Sequence, residues 1–225
     1  AAGSINLATK TPKLENFLSG SAATGTNEQA RLTLDLNRTL GETSAFRLNA
    51  MLQDSGVPGR DFVRNKGWAL APSVALGLNT PTRTTLSYEH VDQNNRPDGG
   101  VSTIGVPGYY SATGALAHAP AVDRSNYYGS LNDFQKIEGD HFTARIEHDI
   151  DGDTTLRNTT YAGRTHQLQV IGSVADVGNQ APLPYASWVV NRNRHYRLQT
   201  NSLITNQTNL TTRVKSAGVE HTVSG

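Results

Sequence analysis

The sequence predicts an all-β protein, an antiparallel transmembrane β-barrel segment of about nine strands from a larger barrel, and three observations predict it. In residues 30–53, Leu32, Leu34, Leu36 and Leu40 take every second position, with only Arg38 out of place. After a polar turn at 41–44, Phe46, Leu48, Ala50 and Leu52 alternate with Arg47, Asn49, Met51 and Gln53. Period two puts one apolar and one polar face on a pleated strand; a helix would smear these residues around its cylinder. The second observation is composition. Only 36% of the 225 residues are hydrophobic and mean hydropathy is -0.47, too little Val, Ile and aromatic content for two inner faces of a soluble sandwich. A wet barrel does not need it. The third is that short and long connections alternate, as in outer-membrane barrels with short periplasmic turns and long extracellular loops.

In chain order, residues 3–12 read as a short strand stopped by Pro12. Strands follow at 14–25, 28–40, 44–54, 66–79, 82–92, 139–150, 154–166, 194–206 and 210–224. Turns fall at 26–27, 41–44, 79–82, 151–153 and 206–209; the long loops are 55–65, 93–138 and 167–193. Pro72 sits inside an otherwise regular strand, where its missing donor predicts a bulge or local break. Phe46 opens its strand at the short-turn end and Trp68 at the long-loop end, as aromatic girdles do. Bacterial single-chain barrels have even strand numbers, and large plugged transporters about 22, so nine strands imply two unpaired edges and a larger whole. The first residues carry no charged and apolar leader pattern, so no signal peptide is expected among them.

Charge and motifs narrow the function. Twenty Lys and Arg against 19 Asp and Glu give a net charge of +1, so no field points to nucleic acid. Cysteine is absent, which removes disulfides and thiolate metal sites. No run reaches the roughly 18 apolar residues of a membrane helix. The alternating carboxylates of Asp149, Asp151 and Asp153 suggest calcium, but an EF-hand begun at Asp149 would need Gly at Thr154 and Glu at Thr160; a tight polar turn fits instead. The seven histidines are scattered, with His141 and His148 on opposite faces of one strand, so no metal site held by the protein is expected. Asn-x-Thr triplets at Asn37, Asn158 and Asn206 read as lumen and turn chemistry rather than glycosylation. No nucleophile elbow, phosphate loop or dinucleotide fingerprint occurs, so no catalytic residue and no enzyme is expected.

Three stretches carry a resemblance. Gly3-Ser4-Ile5-Asn6-Leu7-Ala8-Thr9-Lys10-Thr11-Pro12 resembles the signature closing the plug domain of TonB-dependent outer-membrane receptors, with Ala2 and Ala8 as small departures. Val122-Asp123-Arg124-Ser125-Asn126-Tyr127-Tyr128-Gly129 resembles a stretch of their ferric-catecholate members. Gly218-Val219-Glu220-His221-Thr222-Val223-Ser224-Gly225 resembles a strand of the same receptors. The resemblance implies an outer-membrane siderophore receptor, with residues 1–12 as the last plug strand and 13–225 as the N-terminal part of the barrel. It further implies a ferric siderophore as transported ligand, outer-membrane lipid around the wall, and the TonB complex engaging an N-terminal box missing from these residues. The alternatives are a smaller passive barrel, porin or adhesin, and a secreted β-rich carbohydrate-active or binding module.

Candidate ligand residues come from the long loops. Arg96, Arg124 and Lys136 offer cationic donors, and Tyr109, Tyr110, Tyr127 and Tyr128 flat amphipathic surface, which an anionic aromatic ligand rewards. Tyr109 and Tyr110 rank above Arg124, because an Asp123–Arg124 pair could brace the loop. Arg60 and Arg64 in 55–65 are the second choice.

Overall fold

The computed structural model describes residues 9–112, 114–178, 180, 183–216 and 218–225. Most of the expected strand at 3–12, including Ala8, lies outside the described residues. Among the described residues nine strands pair antiparallel in chain order as one sheet: β1 Phe17–Gly25, β2 Gln29–Thr39, β3 Ala45–Val57, β4 Arg60–Leu76, β5 Thr82–Asn95, β6 Phe134–Asp149, β7 Thr154–Asp176, β8 Asn191–Ser216 and β9 Val219–Ser224. Among the described residues β1 and β9 pair with only one neighbour each, so the sheet is open. Strand lengths are uneven, 9 residues in β1, 17 in β4, 14 in β5, 26 in β8 and 6 in β9.

The alternation sorts the faces as expected. Leu34 pairs with Ala50 and Ala50 with Leu70, and Leu32 and Leu52 are 52% and 56% exposed. The opposite, inner face carries Asp35, Asn37, Arg47 and Ser73, all buried. Pro72 pairs with Leu48 of β3, but toward β5 the ladder lapses at positions 71 and 72, since Leu70 pairs with His90 and the next pair is Ser73 with Ser87. That is a local break without a register shift, the cost of a strand position with no N–H.

Several elements differ from expectation: β6 starts at Phe134 rather than at 139 and β7 runs on to Asp176 rather than ending at 166, which shortens the expected loops 93–138 and 167–193. The polar residues 206–209 do not turn: β8 runs through them, Asn206 facing Thr160 and Asn209 facing Arg157. On the outward face the Asn206 side-chain amide donates to Asn158 Oδ1 at 3.0 Å and Thr160 Oγ1 at 2.7 Å, and the Asn158 amide donates back to Asn206 Oδ1 and to Thr208 Oγ1. Four polar side chains satisfy one another, so an apolar environment tolerates them and the strand continues. The hairpin closes later, with Ser216 opposite Val219, so residues 210–216 belong to β8. The loop expected at 55–65 is also a hairpin. β3 and β4 meet at Pro58-Gly59, with Gly59 at φ +71°, the left-handed conformation that glycine adopts without steric cost. Above the apolar band a strand needs no hydrophobic alternation, and its polar residues look like loop.

Residues 9–16 cross the inner face of β2 and β3 as a strap. The Asn37 side chain, fully buried, donates to the Lys13 and Glu15 carbonyls at 2.7 and 2.5 Å and accepts from the Lys13 N–H. Arg47 grips Asp35 through two hydrogen bonds of 2.8 Å and donates to the Thr11 carbonyl. Lys10 Nζ lies 2.8 Å from Asp35, and the Phe17 ring sits under the Arg47 guanidinium at 5.2 Å. The strap holds because wall side chains replace the strand partners that its backbone lacks.

Candidate ligand site at the long-loop rim

Two long loops remain, 96–133 between β5 and β6 and 177–190 between β7 and β8, and both rise from the same edge of the sheet. Their limbs approach the wall closely. A Cβ on Gly99 would overlap the Gly172 carbonyl, and one on Gly172 would lie 3.3 Å from the Gly129 Cα. Asp133, 4% exposed, clamps this crossing by accepting from the Ser130 and Gly172 N–H groups at 2.9 and 2.7 Å.

The loops also pack on each other. Ile104 and Ala119 from the first and Val177 from the second form a small apolar core, joined by Tyr109, Leu116, Trp188 and Val190. Arg192 ties them by donating to the Tyr128 and Gly129 carbonyls at 3.2 and 3.0 Å. Gln180 staples the second loop through the Val177 and Val189 carbonyls and the Val189 N–H. Between the loops is a cavity of about 560 Å³, lined by residues that include Tyr127, Tyr128, Tyr185 and Trp188. Tyr185 and Trp188 meet edge to face at 5.0 Å.

Each candidate residue now has a place. Tyr127 and Tyr128 line the cavity; the Tyr127 hydroxyl donates to the Ser130 carbonyl, and burial pushes its pKa up, so it remains a neutral donor. Tyr109 packs against the loop core, whereas Tyr110 is 85% exposed. The Arg124 side chain is exposed and does not pair with Asp123. Asp123 instead accepts from the Ser125 N–H and hydroxyl, both at 2.8 Å. The local brace exists, but as an Asx turn. Arg60 and Arg64 stand on β4 and are engaged there. Arg60 holds Asp98 through two hydrogen bonds of 2.7 Å and donates to the Arg124 carbonyl, and Arg64 bridges Asp54 and Glu28. Arg96 donates to the Phe62 carbonyl. Three of the four candidate arginines are therefore structural ties. Tyr185, Trp188 and Arg192 were not among the candidates, though the run from Tyr185 to Trp188 in a long loop carried the same aromatic signal.

The Arg60 guanidinium beside Asp98, helped by the Gly100 N–H, holds the Asp98 carboxyl below its ordinary range. A lowered carboxylate pKa stabilises the folded form fully above the unfolded value of about 3.9, and that stabilisation is lost as pH falls through the folded value. Amide exchange in residues 96–100, followed from pH 7 to 3, should therefore accelerate beyond its intrinsic pH trend only below about pH 4. An Asp98→Asn variant should show no such step.

No group of three or more His, Cys, Asp or Glu side chains converges among the described residues.

No family model matches the sequence. The Catecholate siderophore receptor Fiu of Escherichia coli K12 is 40% identical over 228 aligned residues, which cover 99% of this chain and 30% of that protein. The chain belongs with the TonB-dependent siderophore receptors. The Probable TonB-dependent siderophore receptor PiuA of Acinetobacter baumannii is 38% identical over 70% of this chain and 21% of its own length. The crystal structure of the Ferric-Catecholate import receptor Fiu in its closed form superimposes with a TM-score of 0.88 at 40% identity, over 96% of this chain and 31% of that one. The chain thus spans less than a third of these siderophore receptors. Its sheet is outer-membrane barrel wall, the inner face is the lumen side, and the long-loop rim is extracellular. These relatives are transport receptors rather than enzymes.

Proposed function

We propose that the protein containing this chain captures a ferric siderophore of catecholate type at loops 96–133 and 177–190 and imports it through a plugged barrel, with the TonB complex as its energy-coupling partner. The observation that carries the reading is 40% identity across 99% of this chain to a catecholate siderophore receptor. Residues 1–12 close the plug in this reading, and the strap contacts of Lys10 and Thr11 with Asp35 and Arg47 are where the described chain passes from lumen to wall. The metal arrives as cargo inside its own chelator, so the protein supplies no metal ligands of its own.

Among the candidates, Tyr110 and Arg124 combine exposure with the chemistry that an anionic aromatic chelate rewards. Tyr109 supports them from the loop core. The test is ferric-catecholate binding to the full-length receptor. Tyr110→Ala and Arg124→Ala should each weaken affinity by about tenfold, the effect of one good contact of about 1.4 kcal/mol. Unchanged affinity in both folded variants would remove these two residues from the site.

A further inference from the structure

We infer that the cavity between loops 96–133 and 177–190 is a binding site for an uncharged aromatic group, separate from whatever holds an anionic iron centre. The inference deepens the receptor reading by dividing ligand recognition into two chemically distinct parts, and it rests on that reading only for the choice of probe.

Size comes first. About 560 Å³ falls within the roughly 300–1,000 Å³ of small-molecule pockets, which are mostly apolar with a few oriented polar groups. The lining fits that pattern: Val177, Val190 and Trp188 supply apolar surface, Tyr185 meets Trp188 edge to face, and the polar side chains of Tyr127 and Asn126 already donate within the loop, to the Ser130 carbonyl and the Tyr128 hydroxyl. Aromatic rings favour such edge and offset partners over purely aliphatic walls.

Charge decides against the iron centre. Arg192 is the one charged residue among the described lining residues, and one end of its guanidinium already serves the Tyr128 and Gly129 carbonyls. A multiply charged chelate placed here would lose its hydration against apolar walls with a single cation to compensate, which is strongly unfavourable. A neutral ring loses little hydration and gains stacking. The exposed Arg124 stands outside this lining, where an anion keeps its water.

The experiment uses the full-length receptor in lipid nanodiscs and two probes, a neutral iron-free catechol ester and the gallium complex of a tris-catecholate. The neutral ester should quench fluorescence saturably in the parent, and the quench should vanish in Trp188→Phe. In Tyr185→Ala, with Trp188 still reporting, its affinity should fall at least tenfold. The ester and the gallium complex should not compete through Trp188 when the complex lacks a free ring. Quenching by the gallium complex alone would overturn the inference while leaving the receptor reading intact. Quenching by brominated lipid in place of the ester would make the cavity a lipid pocket, and no quenching by any probe would make it packing space; either result overturns the proposal. Tyr185→Phe, which keeps the ring, should bind like the parent, so loss of binding there as well would point to loop collapse and reject an aromatic-stacking site.

Discussion

Replacing Asp35 with alanine in the full-length receptor is expected to cost about 3–5 kcal/mol of stability, the usual consequence of leaving a buried charge without its partner. Arg47 is 7% exposed, and its Nε and one Nη both end on Asp35. Without the carboxylate, Arg47 faces the Phe17 ring and the Thr11 carbonyl as an uncompensated cation, and Lys10 loses its partner. Removing both charges together, as Asp35→Leu with Arg47→Leu, should be much milder, because the cost lies in the stranded charge rather than in the lost attraction. Denaturant unfolding in lipid vesicles measures both variants. A single variant no worse than the double would show that the strap is held by its backbone contacts to Asn37 alone.

The second large effect tests the faces. Leu34 points outward and Asn49 inward on adjacent strands, so the same new residue meets lipid at one site and the lumen at the other. Arginine at Leu34 should cost about 2–4 kcal/mol near the bilayer midplane, and arginine at Asn49 should be mild. Equal costs would refute the face assignment.

What the sequence made legible was the part governed by contrast between two solvents. Within the apolar band, Leu32 to Leu36 and Phe46 to Leu52 alternate because lipid and water lie on opposite sides, and β2 was readable to about one residue at each end and β3 to about three. Where that contrast fades, the signal fades with it. Residues 57–64 mix Val57, Phe62 and Val63 with Arg60, Asp61 and Arg64 in no period of two, and Asn206 and Thr208 look like turn formers because their hydrogen bonds with Asn158 and Thr160 are invisible in one dimension. The candidate site divides similarly. Tyr127 and Tyr128 were found because their motif stood out, although it recurs here as the limb that crosses Gly172. Arg60, Arg64 and Arg96 were chosen for charge, and only the fold shows that Asp98, Asp54 and the Phe62 carbonyl already occupy them. Trp188 and Tyr185 acquire meaning from Ile104 and Tyr128, which come from the other loop.

The uneven strand lengths carry a consequence for the cell surface. At about 3.3 Å per residue, the 26 residues of β8 run about 85 Å, and at a tilt of about 40° they rise about 65 Å. The apolar band is only about 25 Å tall. Roughly 30–40 Å of the β7–β8 ribbon therefore stands clear of the lipid, a parapet on one side of the pore. Its outward residues, among them Tyr196 at 66% exposed and Leu198 at 59%, face the medium instead of acyl chains. This side of the rim therefore stands highest above the lipid among the described strands.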